Sequence, residues 1–412
     1  LQTTVHVIDC DEKRKALVQM FERSRCALIY GSAGTGKSTL INHISHFFPD
    51  KSKLYLANTN PAVDNLKRRV TASNCEFSTI AKFVKKKDVA TEYDLLIIDE
   101  CSTVSNRNMR AILEKAAFKL LVLAGDVFQI ESIQFGNWFS TARSFIPATS
   151  VFELTRPYRT NNNGLLELWK RVRNMDETIL EILAKQGYST TLDASILEHA
   201  ETDEIILCLN YDGLYGINNV NRFLQESNPN QAISWGLQLY KVDDPILFNE
   251  SERFAPLIYN NMKGKIVWIA VLENRIQFDI ELDKVINGMD ADDYDDLELI
   301  GDSASGNSVI RFSVDKCKST DDDDDGSSSA VVPFQVAYAV SIHKAQGLEY
   351  NSVKVVITDE IDELITHNIF YTAITRAREK LRIYWTPEVE NRVLSTIKPR
   401  DYCRDVALLR VI

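Results

Sequence analysis

Cys26-Ala27-Leu28-Ile29-Tyr30-Gly31-Ser32-Ala33-Gly34-Thr35-Gly36-Lys37-Ser38-Thr39 decides how the rest of the chain is read. An apolar run of strand length stops at Gly31, a glycine-rich turn follows, and residues 40–48 read as a helix. This is G-x-x-x-x-G-K-[ST] in the strand–loop–helix context that its chemistry needs. Gly34 and Gly36 reach backbone angles that other residues resist, so successive N–H groups can turn inward around a phosphate. The following helix aims its positive end at the same anion. Residues Gly31, Ser32, Ala33, Gly34, Thr35, Gly36, Lys37, Ser38 and Thr39 are therefore expected to hold a nucleoside triphosphate. Lys37 would reach its β- and γ-phosphates and Ser38 its Mg²⁺.

Working outward, Leu95-Leu96-Ile97-Ile98-Asp99-Glu100 reads as a strand buried on both faces that delivers two carboxylates to its carboxyl end. In such enzymes the first acid, Asp99, holds Mg²⁺, and Glu100 activates a water against the γ-phosphate. Leu120-Leu121-Val122-Leu123-Ala124-Gly125-Asp126 is another buried strand, with Gln129 just beyond it. Leu54-Tyr55-Leu56-Ala57 ends in Asn58-Thr59-Asn60-Pro61-Ala62, small polar residues suited to the ligand-facing rim of a parallel sheet. Residues 8–23 and 63–70 read as helices, the second carrying Lys67-Arg68-Arg69. Strands alternating with helices across residues 1–150 imply a doubly wound parallel sheet.

The chain has 412 residues, enough for two or three domains, with 45% hydrophobic and 25% charged residues. No apolar run approaches the ~20 residues that span a bilayer, and no signal peptide is seen, so a cytoplasmic location is expected. The seven cysteines are scattered and never spaced C-x-x-C, which excludes a disulfide framework or zinc site as an organising feature. The chain begins at Leu1, as expected of a processed or excised part of something longer. Net charge is −11, yet eleven of the 58 acidic residues sit in two loops, 290–298 and 321–325. Basic clusters at Lys67-Arg68-Arg69 and Lys85-Lys86-Lys87 leave room for a locally positive groove, so bulk charge does not exclude a nucleic-acid partner.

An ordered series of segments resembles the superfamily 1 helicases, most closely the RecD-like group. Residues 31–39 look like motif I, 58–62 like motif Ia, Asp99-Glu100 like motif II and Gly125-Asp126 through Gln129 like motif III. Leu154-Thr155-Arg156-Pro157-Tyr158-Arg159-Thr160 is similar to motif IV. Ser341-Ile342-His343-Lys344-Ala345-Gln346-Gly347-Leu348-Glu349-Tyr350 is similar to motif V, and Tyr371-Thr372-Ala373-Ile374-Thr375-Arg376-Ala377-Arg378 to motif VI. The resemblance implies that Arg159 and Arg376 are arginine fingers crossing a cleft between two domains, and that Gln129 senses the γ-phosphate. It places Gly347 and Glu349 at the nucleotide, and Thr59, Asn60, Thr79, His343, Lys344 and Gln346 against a nucleic-acid strand. Two departures stand out. Relatives read adenine with a glutamine upstream of the phosphate loop, where this chain has Asp11-Glu12-Lys13-Arg14-Lys15 and, rather close, Gln19. The stretch 82–93 leaves little room for a strand-splitting hairpin, which weakens unwinding more than translocation.

In the second half, 164–173, 178–186 and 217–224 read as helices, and 204–210, 337–341, 353–358 and 381–384 as strands of a second α/β core without a phosphate loop. Between them, residues 265–271, 275–280 and 309–314 read as short strands of a small β-barrel, by resemblance an SH3-like module. Trp268 and Phe278 are read there as core aromatics, with base stacking the alternative. Asp321-Asp322-Asp323-Asp324-Asp325-Gly326 begins like a calcium loop, but Val332 stands where glutamate is needed, so it reads as a solvated linker. The expected fold is two RecA-like doubly wound parallel-sheet domains, 1–150 and 151–240 with 333–412, and an SH3-like β-barrel inserted at 241–332. Two functions stay open: an ATP-driven 5′-to-3′ motor on single-stranded DNA or RNA, or a nucleotide-gated binding module of a larger repair or defence assembly. A small-molecule kinase or GTPase would leave Arg159, Gln346 and Arg376 without roles.

Overall fold

The computed structural model describes residues 25–32, 34–86, 92–131, 136–198, 203–249, 253–255, 257–316, 330–359, 365–398 and 401–411. Ala33, the helix expected at 8–23, Gln19, Lys87 and the 321–325 acidic run lie outside them.

The first sheet contains β1 (Cys26–Gly31), β2 (Lys53–Ala57), β3 (Cys75–Thr79), β4 (Glu92–Ile98), β5 (Ala117–Gly125) and β6 (Val151–Leu154). Their order is β3-β2-β4-β5-β1-β6 and every ladder is parallel. Because strand side chains alternate, one sequence feeds two cores. Ile29, Tyr55, Ile97 and Val122 pack with Leu40, Ile41 and Ile44 of the Lys37–Phe47 helix on one face. Leu28, Leu56, Leu96 and Ile98 pack with Met109, Ile112 and Phe139 on the other. A parallel sheet gathers all carboxyl ends on one rim, so Gly31, Asp99 and Asp126 leave the sheet side by side. Strand β6 pairs with β1, so the first sheet reaches Leu154 and the boundary expected at 150 is corrected by that ladder.

The chain continues through β7 (Ser189–Thr191), β8 (Glu204–Cys208) and a hairpin of β9 (Ile233–Trp235) and β10 (Gln238–Tyr240). An antiparallel sheet follows: β11 (Pro245–Phe248), β12 (Lys263–Val271), β13 (Arg275–Leu282), β14 (Leu297–Asp302), β15 (Ser308–Asp315) and β16 (Phe334–Val336). It extends four residues past 332, where the insertion was expected to end, because Phe334–Val336 pairs with β11. Its order is β14-β15-β13-β12-β11-β16, and among the described residues no ladder joins β14 to β16. Phe278 is fully buried in a ring cluster with Tyr240, Phe312 and Phe334. Trp268 is 42% exposed, contrary to its reading as core. A register shift between Ile266 and Trp268 explains this: one extra residue flips the parity of everything after it. Ile266 and Ile269 face inward and the Trp268 ring lies outside, 5.2 Å from the Arg311 guanidinium.

Strands β17 (Ala339–Ser341), β18 (Tyr350–Val356) and β19 (Ala377–Trp385) return to complete a second parallel sheet, β17-β8-β18-β19-β7. Its core joins Leu168 and Val172 of the Asn163–Asn174 helix to Phe370 and Ile374 of the His367–Ile374 helix. No helix among the described residues is long and apolar enough to cross a membrane.

Candidate active site between the lobes

The phosphate loop is shaped by two left-handed glycines, Gly34 at φ 74° and Gly36 at φ 82°. Gly34 is required twice over. Its backbone is left-handed, and a Cβ placed on it would lie 2.3 Å from the Arg159 Cβ, beside the bond from the Tyr158 N–H to its carbonyl (2.7 Å). The Lys37–Phe47 helix has no side-chain cap at its start, which leaves its first N–H groups for an anion. Lys37 Nζ donates to the carbonyls of Gly31 (2.8 Å) and Ser32 (3.1 Å). Burial pushes its pKa down, opposed by the carboxylates of Asp126, Asp99 and Glu100.

Asp99 follows β4 directly, and its Oδ1 accepts from the Glu100 N–H at 2.9 Å. Burial raises its pKa, with Lys37 opposing. Glu100 takes a left-handed conformation, φ 52°, unusual for a residue with a side chain. Its carbonyl is pinned by the N–H and hydroxyl of Thr103, at 2.9 and 2.8 Å. Burial, then the neighbouring Asp99 charge, pushes its carboxyl up to about 7. Asp126 leaves β5 with Oδ1 accepting from the Phe128 N–H (3.1 Å) and pairing with Arg173 (3.4 Å). Its Oδ2 is buried and has no hydrogen-bond partner among the described residues.

The second lobe supplies the opposite charge. Arg376, just past the His367–Ile374 helix, is 2% exposed and donates to the carbonyls of Thr372 and Leu348, both at 3.1 Å. Arg159, on the segment joining the lobes, donates to the Thr375 carbonyl at 2.9 Å and pairs with Glu349. Burial, then repulsion from Arg159, pushes the Arg376 pKa down to about 10, so it stays charged at neutral pH. Burial alone would raise Glu349, but Arg159, Arg378 and Arg376 outweigh it and hold it low.

A cleft of about 470 Å³ results, and its wall contains Lys37, Glu100, Gln129, Arg159 and Arg376 together. Gly34 to Thr39, Asp99, Gly347 and Glu349 share that wall; Gly31 and Ser32 support it through Lys37. The strand-facing candidates lie elsewhere. Thr59 and Thr79 cap the starts of the Asn60–Arg69 and Ile80–Lys85 helices, accepting from Ala62 (3.4 Å) and Lys82 (3.3 Å). Asn60 opens the first of those helices, and His343 is exposed. Lys344 Nζ donates to Asn249 Oδ1 at 2.7 Å. The Gln346 side chain donates to the Ile130 carbonyl (3.3 Å), which ties it to the first lobe. Sequence reasoning gave no role to Asp126, Asn65, Arg69, Tyr158 or Arg378, all of which line the cleft. Asp126, Arg69, Tyr158 and Arg378 carried a signal, since each sits in a stretch already singled out.

A model of the AAA domain matches residues 10–194, and one of the UvrD-like helicase C-terminal domain matches 336–384. The chain is 24% identical to the ATP-dependent DNA helicase Pif1 of Campylobacter jejuni, over 90% of this chain and 92% of that protein. It is 23% identical to an uncharacterized protein of Methanocaldococcus jannaschii, over 93% of this chain but 39% of that one. The RecBCD enzyme subunit RecD of Mycolicibacterium smegmatis is 22% identical over 74% of this chain and 52% of its own length. The solved Pif1 helicase of Bacteroides, in complex with ADP-AlF3 and ssDNA, superposes with TM-score 0.57 at 15% identity, covering 98% of this chain and 97% of that one. The phosphate loop, the paired acids and the arginines of the second lobe stand in one cleft, and both models match in chain order: an AAA domain followed by a UvrD-like helicase C-terminal domain, in a chain similar to the Pif1 and RecD helicases.

Proposed function

We propose that the chain is an ATP-driven motor that moves 5′ to 3′ on single-stranded DNA. One observation carries this: a single cleft is walled by Lys37, Asp99 and Glu100 from one lobe and by Arg376 from the other, with Arg159 on the segment between them. A triphosphate bound to the loop would meet the Arg376 guanidinium only with both lobes in place, so binding favours closure and hydrolysis releases it. In this reading Lys37 exchanges its carbonyl contacts for phosphate oxygens, and Glu100 takes a proton from the attacking water. Gln129 senses the γ-phosphate, and Arg159 and Arg376 offset its developing charge. Magnesium fits the donor set, since Ser38 lines the cleft beside two buried carboxylates, Asp99 and Asp126, the latter with its unpartnered Oδ2. Ser38 and Asp99 would hold it, and its chemistry is to neutralise phosphate charge.

Thr59, Asn60, Thr79, His343, Lys344 and Gln346 follow or end strands at the carboxyl rims of the two sheets and would face the nucleic-acid strand, mostly at its phosphates. The two RecA-like lobes would meet along the cleft, with the SH3-like module as the insertion. The test is hydrolysis with and without single-stranded DNA, then displacement from forks with a 5′ or a 3′ tail. Stimulated hydrolysis with displacement only from the 5′ tail is expected; displacement only from the 3′ tail reverses the polarity. Only residues 86–91 separate the Ile80–Lys85 helix from β4, which favours a second reading, a nucleotide-gated clamp. Stimulated hydrolysis with no displacement from any duplex would select it.

A further inference from the structure

The loop after β8, Leu209-Asn210-Tyr211-Asp212-Gly213-Leu214-Tyr215-Gly216, combines two properties that rarely occur together. It is tightly built. The N–H groups of Gly216, Ile217 and Asn218 donate to the carbonyls of Gly213 (3.1 Å), Asn210 (3.0 Å) and Tyr211 (3.0 Å). Asn219 donates to the Gly213 carbonyl at 2.6 Å, and Asn218 to the Asp212 carboxylate at 3.0 Å. Gly213 is left-handed at φ 94°, and a Cβ on Gly216 would sit 2.2 Å from the Asp212 carbonyl oxygen. Yet this rigid loop shows large apolar side chains to solvent, Tyr211 at 59% and Leu214 at 62% exposure. A loop ordered for stability alone would turn such groups inward.

Its position suggests what they meet. Strands β8 and β17 are parallel neighbours with Cys208 opposite Ser341, so residues 209–216 and 342–348 leave the same rim of the second sheet side by side. The second of these loops carries the exposed His343 and the partly buried Lys344. The first carries no lysine or arginine, and its one carboxylate would repel a phosphate. An aromatic face and an isobutyl group on a fixed loop suit the flat face of a base.

Resting on the nucleic-acid reading above, we propose that Tyr211, flanked by Leu214, is a stacking platform for a nucleobase of the bound single strand, next to the phosphate contacts of the His343 loop. The test is fluorescence anisotropy of a labelled oligothymidine with the whole chain and with Tyr211→Ala and Tyr211→Phe, over a range of salt, with thermal unfolding as the folding control. Tyr211→Ala should bind about tenfold more weakly, and Tyr211→Phe like the parent. The slope of log Kd against log salt should not change, because no phosphate contact is lost. A strand with abasic positions should penalise the parent more than Tyr211→Ala. Tight binding by the parent with equal binding by Tyr211→Ala overturns the platform alone. No binding by the parent overturns the nucleic-acid reading and the platform with it.

Discussion

In the proposed reading Glu100 is the general base of hydrolysis, and its surroundings would set when it can act. Burial and the adjacent Asp99 hold its proton to about pH 7. A general base must be ionised, so kcat/KM for hydrolysis should rise with pH below about 7 and level off above it. Glu100→Gln should bind nucleotide, hydrolyse it at least a hundredfold more slowly, and lose that pH limb. A steady-state profile with and without the substitution checks both, and an unchanged rate would remove the assigned role. Gly34→Ala meets a left-handed backbone and the Arg159 Cβ at 2.3 Å, so it should abolish nucleotide binding, measured with a fluorescent ATP analogue. Lys37, Asp99 and Glu100 were legible because each is fixed by a few neighbours in sequence. The pairing of Arg159 with Glu349 and the hydrogen bond from the Tyr158 N–H to the Gly34 carbonyl join residues far apart in the chain, which no local pattern encodes.

Among the elements, the inner strands of both parallel sheets were readable because burial on two faces demands continuous apolar runs, whereas Cys75–Thr79 and Ser189–Thr191 at their edges were not. Short edge strands were harder: Val151–Leu154 and Phe334–Val336 have few residues to carry a pattern, and the expected boundaries slipped there. The bulge that turns Trp268 outward defeats a period-two reading by construction. The joint between lobes also escaped notice. Ile130, just past β5, sits in the core of the second lobe; its N–H donates to the Thr372 hydroxyl at 2.9 Å and its carbonyl accepts from Gln346. The Asn368 side chain donates to the Gln129 carbonyl at 2.8 Å. Motif III is thereby bolted to the His367–Ile374 helix, which ends beside Arg376. Thr372→Val keeps the shape and strips the Ile130 N–H of its partner, so it should cost about 1–3 kcal/mol in urea unfolding. A shift below about 0.5 kcal/mol would mean that the joint bears little of the coupling.

At the scale of the molecule, a chain of net charge −11 still lines one cleft with five cations, Lys37, Arg69, Arg159, Arg376 and Arg378. In the proposed reading the two lobes work only together, one holding a triphosphate and the other answering its charge. The direct measurement is ATP hydrolysis by the parent chain and by Arg376→Ala, each with and without a single-stranded oligonucleotide, with nucleotide affinity measured alongside. The expected result is stimulation of the parent by DNA and a loss of about a thousandfold in turnover for Arg376→Ala, with nucleotide still bound. Hydrolysis indifferent to DNA, or an Arg376→Ala chain that turns over like the parent, would contradict a motor driven from the seam between the lobes.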